Sequence, residues 1–262
     1  MCVGLRDELS LGIDASGGGV AVEVFGEYAA GVPTGEGNLA VRALLRYADA
    51  LGICAPGLRL QLRKDIPHGA GLGGGSSDAA MALILASRLF GREGEDALLL
   101  RTLAAELGSD CAFFLEGSAS IGSGRGEVLQ ALSERLSTLP VLLFKPPFAI
   151  GTADAYRALR PNVDFGQRSN ETKLLEALAA GRPVTTALNA FEGPLEEKYP
   201  VLRELREGMT SSGALLARLT GSGSVVFGVF ANEAARDAAA EALSRRFEGT
   251  PIKTWLCGNP ER

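Results

Sequence analysis

One glycine-rich stretch limits the possible folds of this chain more than any other feature. Residues 67–80 read Pro-His-Gly-Ala-Gly-Leu-Gly-Gly-Gly-Ser-Ser-Asp-Ala-Ala. Glycines permit close approaches of the backbone that a side chain would block. Several N–H groups can then converge on an anion, and a following helix adds its partially positive N-terminus. Composition alone also allows a flexible linker, because glycine and serine form a coil without a preferred shape.

The flanks of the stretch favour phosphate binding over a linker. Before it, residues 58–63 alternate leucine with arginine or glutamine, which is the period of a half-buried strand. After it, Ser76 or Ser77 is predicted to cap a helix whose body, residues 79–90, is almost wholly apolar or small. Together these features predict a loop that wraps the phosphates of a nucleotide.

Two common nucleotide-binding motifs do not describe the stretch. Gly69, Gly71 and Gly74 fit G-x-G-x-x-G, but the dinucleotide fold also needs an acidic residue at the end of a second strand. Glu93 and Glu95 lie instead in a predicted polar turn. The motif G-x-x-x-x-G-K-[ST] fails because no lysine precedes the serines. A cation facing bound phosphates must therefore come from elsewhere in the chain.

Length and charge narrow the class of protein. With 262 residues, 46% of them hydrophobic, the chain can form one large domain or two small ones. Its formal net charge of −5 argues against nucleic acid or an anionic membrane as the main partner. The apolar runs are too short to span a bilayer, and the N-terminus does not read as a signal peptide. We expect a cytoplasmic monomer or weak homodimer that acts on a small molecule.

The cysteines and the histidine exclude several kinds of site. Cys2, Cys54, Cys111 and Cys257 are widely separated, which indicates neither a zinc site nor a disulfide framework. His68 is the only histidine, so the sequence supports neither a serine hydrolase triad nor a multi-histidine metal centre. Base catalysis would have to use a carboxylate, a lysine or a bound water.

The N-terminal part predicts a mixture of strands and helices. Residues 7–13 and 20–25 read as two strands that pair in a hairpin. Residues 38–51 have apolar positions at helical spacing, with Asn38 where an N-cap belongs. An amide at that position can cap the helix or contact a ligand, and the spacing leaves both roles open.

Asp110 is the most interesting lone carboxylate. It follows a helix predicted over residues 95–107 and precedes a predicted apolar strand, residues 111–115. A substrate hydroxyl could reach a carboxylate placed there. Spacing alone, however, favours a turn aspartate that only accepts hydrogen bonds from nearby N–H groups.

A change of pattern marks a second domain. Residues 141–144 predict a short buried strand, which Pro146 and Pro147 follow. We therefore predict two domains, residues 1–140 and 141–262. Three helices are predicted in the second domain near residues 153–159, 170–180 and 194–208, with a mobile loop at residues 161–169.

A second glycine and serine segment lies near the C-terminus. Residues 220–224 read Thr-Gly-Ser-Gly-Ser between strands predicted at residues 214–219 and 225–230. The segment can present N–H groups to an anion, but the sequence alone favours a simple hairpin turn. A helix over residues 233–247 and a strand over residues 251–256 complete an antiparallel sheet with helices on one face.

Three segments of the chain together resemble the GHMP kinases, the superfamily of galactokinase, homoserine kinase, mevalonate kinase and phosphomevalonate kinase. The segments are residues 67–80, 107–115 and 219–230. Within it, the chain is most similar to the 4-diphosphocytidyl-2-C-methyl-D-erythritol kinases, over nearly all of residues 1–257. The motifs that carry this similarity are Gly71–Ser77, Gly108–Asp110 with Phe113 and Phe114, Lys145–Pro146 through Thr152 to Tyr156, and Thr220–Ser224.

The resemblance implies an α+β fold of two domains. The N-terminal, ATP-binding domain would contain a left-handed βαβ unit, an exception to the usual handedness, and the C-terminal domain would be ferredoxin-like. It also implies an enzyme that transfers the γ-phosphoryl group of ATP to the 2-hydroxyl of 4-diphosphocytidyl-2-C-methyl-D-erythritol, for isoprenoid precursors. Magnesium is expected with ATP, and the resemblance assigns no residue to it.

The resemblance also implies roles for single residues. Asp110 would be the catalytic base or orienting carboxylate. Asn38 and Lys64 would lie near the adenine, and Tyr156 would stack on the cytosine. Residues that would hold the ATP phosphates are Pro67, Gly69, Gly71, Leu72, Gly73, Gly74, Gly75, Ser76 and Ser77, and further substrate contacts would come from Thr152, Gly221, Ser222, Gly223 and Ser224.

The sequence departs from the family pattern in three places. It contains neither Pro-Ala-Lys-Ile-Asn nor Gly-Tyr-His, and Cys111 and Ala112 stand where the family has Val-Pro. In the family, the lysine of the first string pairs with the catalytic aspartate, and the second string holds the cytosine. We therefore expect a chain that lacks the N-terminal strand and is weakly active or inactive, because loss of such an electrostatic contact slows a reaction by orders of magnitude.

Three functions are open at this point. The first is the cytidylated-erythritol kinase, and the second is a related kinase of another small alcohol. The third is a relative that binds nucleotides without catalysing phosphoryl transfer.

Overall fold

The chain forms two compact units. The computed structural model describes residues 1–14, 17–53, 57–117, 119–124, 126, 128–132, 138–159 and 171–258. The first unit consists of Met1–Cys2, Arg6–His68 and Gly73–Leu132, and the second of Val3–Leu5, Gly69–Leu72 and Ser133–Arg262. The predicted domain border between residues 140 and 141 stays a prediction, and the loop predicted at residues 161–169 lies outside the described residues.

The first unit combines strands and helices. Its strands are β1 (Glu8–Ile13), β2 (Val20–Phe25), β3 (Leu58–Arg63), β4 (Ser120–Ser123) and β5 (Val128–Ala131). Its helices are α1 (Leu39–Ala50), α2 (Gly74–Leu89), α3 (Ala97–Leu107) and α4 (Cys111–Glu116). A three-stranded sheet contains β1, β3 and β2 in that order, and β4 pairs with β5 in a separate hairpin.

The hairpin predicted from β1 and β2 is wrong, because β3 lies between them. β3 pairs antiparallel with β1, placing Leu60 opposite Leu11, and parallel with β2, placing Leu60 opposite Val22. The leucines of β3 at positions 58, 60 and 62 are at most 1% exposed. A strand whose apolar face is fully buried needs a neighbour on both edges, whereas β1 and β2 are half-buried and take the edges.

Helix α1 connects the parallel strands β2 and β3, which makes a βαβ unit. The helix predicted over residues 38–51 is confirmed, with Asn38 as its N-cap and Leu51 as its C-cap. The left-handedness predicted for this crossover stays a prediction. Helices α1 and α2 pack over the sheet through a core that includes Ala43, Leu44 and Leu83, all fully buried.

The second unit is a four-stranded antiparallel sheet with helices. Its strands are β6 (Val141–Lys145), β7 (Leu216–Leu219), β8 (Val226–Val229) and β9 (Lys253–Cys257), and its helices are α5 (Thr152–Ala158), α6 (Glu171–Ala179), α7 (Glu192–Lys198), α8 (Pro200–Ser211) and α9 (Glu233–Arg246). The strand order is β7-β8-β6-β9. This order, with helical connections after β6 and after β8, is the ferredoxin-like arrangement.

Two predictions for the second unit need correction. The helix predicted over residues 194–208 is two helices separated at Tyr199, because Pro200 has no N–H and disfavours helical geometry in the preceding residue. The expectation of helices on one face is also wrong. β6 is buried on both faces, and Leu178 of α6 packs against the face that Val141 and Leu143 share.

The other face of this sheet carries the larger core. Leu142 and Phe144 of β6 pack there against side chains of α5, α7, α8 and α9. The hairpin predicted from residues 214–219 and 225–230 is confirmed, since β7 pairs with β8. Among the described residues, no helix is both long and apolar enough to cross a bilayer.

Candidate active site

The glycine-rich stretch adopts backbone angles that other residues avoid. Gly69, Gly71 and Gly73 have φ angles of +62°, +74° and +71°. An L-residue with a side chain pays a steric cost in this left-handed region. The alternation of these angles gives the backbone the sharp turns that the sequence predicts for a phosphate-binding loop.

Gly71 is held against the second glycine segment, within the second unit. A Cβ atom at position 71 would overlap the carbonyl oxygen of Thr220 and lie 3.1 Å from the backbone nitrogen of Gly223. The hydroxyl of Thr220 donates to the carbonyl oxygen of Gly71 at 2.9 Å, and the N–H of Val225 donates to that of Ala70 at 3.2 Å. The structure therefore brings together two segments that are about 150 residues apart in sequence.

Helix α2 begins at a glycine and not at a serine. Gly73 occupies the N-cap position, so the predicted cap at Ser76 or Ser77 is wrong. Ser77 lies in the first turn, where its hydroxyl donates to the carbonyl oxygen of Gly74 at 2.8 Å. A Cβ atom on Gly73 would lie 2.9 Å from the ring of Phe114, which explains why a serine does not take the cap position. The first N–H groups of an α-helix have no acceptor within the helix and can bind an anion.

A buried cluster of charges lies beside this helix turn. The ammonium group of Lys64 donates to Oδ2 of Asp7 and, at 2.7 Å, to Oδ2 of Asp78. The three side chains are at most 5% exposed. Oδ1 of Asp7 accepts hydrogen bonds from the N–H groups of Asp65, at 2.6 Å, and Ile66, at 2.8 Å. The cluster therefore connects the end of β3, α2 and the segment before β1.

The two carboxyl oxygens of Asp78 differ in their hydrogen bonding, because only Oδ2 contacts Lys64. Oδ1 is buried and has no hydrogen-bond partner among the described residues. Burial raises the pKa of Asp78 to about 7 from its ordinary value of 3.8, although the neighbouring Lys64 opposes this shift. Asp7 adds to the rise because it places a second carboxylate on the same ammonium group.

The predicted adenine contacts have other partners in the structure. Lys64 is bonded to two carboxylates, and Asn38 is 6% exposed. The side chain of Asn38 accepts a hydrogen bond from the N–H of Ala40 and donates to the carbonyl oxygen of Pro33. The capping role of Asn38 is confirmed, and the adenine contact of either residue stays a prediction.

Asp110 lies at the start of a helix and not before a strand. Residues 111–116 form α4, so the strand predicted over residues 111–115 is wrong. The helix packs Cys111 and Ala112 into the core, and Gly117 ends it in the left-handed conformation. Asp110 is exposed and makes no capping hydrogen bond. Its carboxylate is therefore accessible, and its catalytic role stays a prediction.

The substrate residues predicted in the second unit differ in exposure. Tyr156 is 59% exposed, and its ring stands edge-to-face on Phe191 with 5.1 Å between centroids. Gly221 is exposed and Ser222 is half-buried. Ser224 is fully buried, and its hydroxyl donates to the carbonyl oxygen of Phe148 at 2.6 Å. Ser224 thus supports the turn.

The remaining predicted residues also differ in exposure. Thr152, Gly69 and Gly75 are exposed, whereas Pro67 and Gly223 are buried. The other members of the glycine-rich stretch are half-buried, namely Gly71, Leu72, Gly73, Gly74, Ser76 and Ser77. Their ligand contacts stay predictions.

Sequence reasoning missed Asn189, Asp7 and Asp78. The amide of Asn189 donates to the carbonyl oxygens of Leu219 and Gly221, at 2.8 and 2.9 Å, and accepts from the N–H of Phe191. It therefore ties the glycine turn to the residue that supports Tyr156. Only the place of Asp78 in the glycine-rich stretch was a signal. The contacts of Asn189 with the glycine turn, and the contact of Asp7 with Lys64, join residues that are 30 or more positions apart in sequence.

Comparison with known proteins agrees with this arrangement. The family model of the GHMP kinases N terminal domain matches residues 38–118, and that of the GHMP kinases C terminal matches residues 173–249. A protein of Pelotomaculum thermopropionicum named 4-diphosphocytidyl-2-C-methyl-D-erythritol kinase is 37% identical over 227 residues, which cover 85% of this chain and 77% of the relative. The chain belongs to the 4-diphosphocytidyl-2-C-methyl-D-erythritol kinase family. The resemblance inferred from the sequence is thereby confirmed, as is the prediction of a small-molecule kinase.

Further relatives support the same family and its fold. The Thermus thermophilus 4-diphosphocytidyl-2-C-methyl-D-erythritol kinase is 40% identical over 83% of this chain and 77% of its own length. A crystal structure of 4-(cytidine 5'-diphospho)-2C-methyl-D-erythritol kinase superposes with a TM-score of 0.76 at 36% identity, over 98% of this chain and 87% of the other. The homoserine kinase of Cytophaga hutchinsonii, at 19% identity and a TM-score of 0.75 over 97% of this chain and 87% of the other, shows the fold alone. The α+β GHMP kinase fold is confirmed.

Gly71→Ala tests the backbone contact at the centre of the loop. We expect it to destabilise the protein by clearly more than the strain of a left-handed residue, about 1–2 kcal/mol, because the new methyl group also overlaps Thr220. Gly181→Ala is the matched control, since Gly181 has a φ of +65° and nothing within 4 Å of its Cβ position. Urea unfolding of both variants measures the difference, and equal losses would contradict the expected overlap.

Asp78→Asn tests the charge state of the buried cluster. Because the pKa of Asp78 is raised in the folded protein, to about 7 from 3.8, the native state holds a proton that the unfolded state releases between these values. The contribution of Asp78 to stability is therefore greatest below pH 4 and falls as the pH rises to about 7, by at most about 1.4 kcal/mol per pH unit. Unfolding from pH 5 to 8 should show this fall in the wild type relative to the variant. A difference that does not change with pH would contradict it.

Proposed function

We propose that this chain transfers the γ-phosphoryl group of ATP to the 2-hydroxyl of 4-diphosphocytidyl-2-C-methyl-D-erythritol. The observation that carries the proposal is its identity of 37–40%, over more than four fifths of the chain, to kinases named for this compound. The three segments that carry the sequence resemblance lie inside the two matched regions, residues 38–118 and 173–249.

The glycine-rich stretch is the proposed site for the ATP phosphates. Its left-handed glycines at positions 69, 71 and 73 let the backbone turn sharply just before helix α2. The free N–H groups of the first turn of α2 and the positive end of the helix dipole attract an anion. This support comes from the backbone, so it is independent of any single side chain.

Asp110 is the proposed acceptor for the proton of the substrate hydroxyl. Phosphoryl transfer needs mainly positioning and neutralisation of charge, with one group that orients the hydroxyl and receives its proton. The exposed carboxylate of Asp110, which no capping hydrogen bond restrains, suits that task.

The second unit is proposed to recognise the cytidine end of the substrate. The ring of Tyr156 is exposed and supported by Phe191, as a platform for base stacking requires. Thr152 lies one turn before it on α5. The turn at residues 221–224 would lie beside the diphosphate, and Asn189 fixes two carbonyl oxygens at that turn.

Magnesium would be held chiefly by the phosphate oxygens of ATP. Mg²⁺ in kinases commonly takes only one or two carboxylates from the protein. This suits the part of the chain that the structure describes, in which no three acidic, histidine or cysteine side chains gather as a metal cage. The ion would neutralise phosphate charge. A cytoplasmic location and a monomer or weak homodimer stay expectations.

Asp110→Asn tests the proposed reaction. We expect the wild type to form ADP in the presence of ATP, magnesium and 4-diphosphocytidyl-2-C-methyl-D-erythritol. The variant should be slower by about 10²- to 10⁴-fold, since it loses its proton acceptor. Calorimetry should show unchanged binding of ADP. Low activity of the wild type would agree with the absence of Pro-Ala-Lys-Ile-Asn and Gly-Tyr-His, whose effect stays a prediction.

Glu106→Gln is the matched control, because Glu106 is an exposed carboxylate four residues before Asp110 on α3. It should leave the rate unchanged. If the wild type binds ADP but does not convert ATP to ADP in the presence of this acceptor, the chain is instead a nucleotide-binding relative without catalysis.

Tyr156→Ala tests the substrate. Loss of a stacked base costs about 1–3 kcal/mol, so the KM for the cytidylated substrate should rise about 5- to 150-fold while the KM for ATP stays constant. Tyr156→Phe keeps the ring and should retain the wild-type KM. If Tyr156→Ala does not change the preference for the cytidylated substrate over other small alcohols, a related GHMP kinase is the better assignment.

A further inference from the structure

The buried charge cluster contacts the chain just before the glycine-rich stretch and near the C-terminal end of the stretch. Asp65 and Ile66, whose N–H groups donate to Asp7, immediately precede residue 67. Asp78 lies on the first turns of α2, close to the other end of the stretch. Lys64 connects the two sides, because its ammonium group donates to Asp7 and to Asp78.

We propose that Asp7, Lys64 and Asp78 form a positioning cluster that fixes the two ends of the phosphate-binding stretch relative to each other. The inference rests on the proposed function, in which this stretch holds the ATP phosphates. None of the three residues is a catalytic residue. Each acts through the backbone that it holds, and together they set where the first N–H groups of α2 point.

The location of the ammonium group supports this role. A Cβ atom added to Gly74, the first residue of α2, would lie 3.4 Å from Nζ of Lys64. The group is therefore directly beside the helix turn whose N–H groups would receive the phosphates. It does not itself serve as the phosphate-binding cation, because it already donates to Asp7 and Asp78 and its side chain is 5% exposed.

The chemistry of the cluster also favours positioning over bulk stability. Burying three ionisable groups has a large desolvation cost, and well-packed apolar side chains often stabilise a protein as much or more. Directional hydrogen bonds between charged groups, by contrast, accept only a narrow range of geometries. A cluster of this kind fixes a distance between segments, which apolar packing does less strictly.

Asp78→Asn, with Asp96→Asn as the matched control, tests the proposal. Asp96 is also a buried carboxylate of the first unit, but it accepts hydrogen bonds from Tyr47 and Ser87, away from the stretch. Calorimetry with ADP and magnesium measures binding, and thermal unfolding measures stability. We expect Asp78→Asn to weaken ADP binding by about 10- to 100-fold, because small displacements of the groups that contact a ligand have effects of this size. Asp96→Asn should lower the Tm without changing the affinity.

A triple variant covers the case in which Asp78→Asn does not fold. Lys64→Met and Asp78→Leu replace one ion pair by apolar side chains, and Asp7→Asn removes the carboxylate charge that would otherwise stay buried without its ammonium partner. This variant should restore the Tm while ADP binding stays weak. Wild-type affinity in a folded Asp78→Asn or in the triple variant would overturn the positioning role alone. Absence of ADP binding in the wild type would instead overturn the proposed function, and the positioning role with it.

Discussion

The contact between the backbone of Gly71 and the turn at Thr220 is the constraint on which the arrangement of the glycine segments in the second unit depends. No side chain fits at position 71, and the two segments exchange hydrogen bonds through Thr220, Val225 and Ala70. Asn189 donates a hydrogen bond to this turn and accepts one from the N–H of Phe191, whose ring contacts the exposed ring of Tyr156. A chain of close contacts therefore runs from the proposed phosphate-binding residues to the proposed base-stacking residue.

In the first unit, several contacts hold the glycine-rich backbone in one conformation. Glycine has the largest conformational entropy to lose on folding, so the stretch needs restraint from its surroundings. Phe114 packs against Gly73, and the cluster around Lys64 holds the chain just before the stretch and near its C-terminal end. The apolar helix α2 then anchors the far side in the core. Restraint of this kind would lower the entropy cost of binding an anion at the N–H groups proposed to receive it.

Features with a local cause could be predicted from the sequence. The N-cap of α1 could be predicted because Asn38 precedes an apolar periodic segment, and its side chain accepts the N–H of Ala40. The strands β3 and β6 could be predicted from their patterns of apolar residues. The conformation of the short segment after Asp110 could not be predicted, because an apolar run of five residues fits a strand or a buried helix equally well. Its burial against the core decides between them.

The sequence by itself determined the family, the proposed phosphate-binding stretch and the candidate carboxylate, because glycines, serines and an aspartate at fixed spacing carry that information along the chain. Only the tertiary structure decided that β3 separates β1 from β2, that Asn189 supports the second glycine turn, and that Lys64 is neutralised by Asp7 and Asp78. The physical reason is distance in sequence. Strand neighbours and buried ion pairs are chosen by which faces must be covered and which charges must be compensated, and these demands are met by residues far apart in the chain.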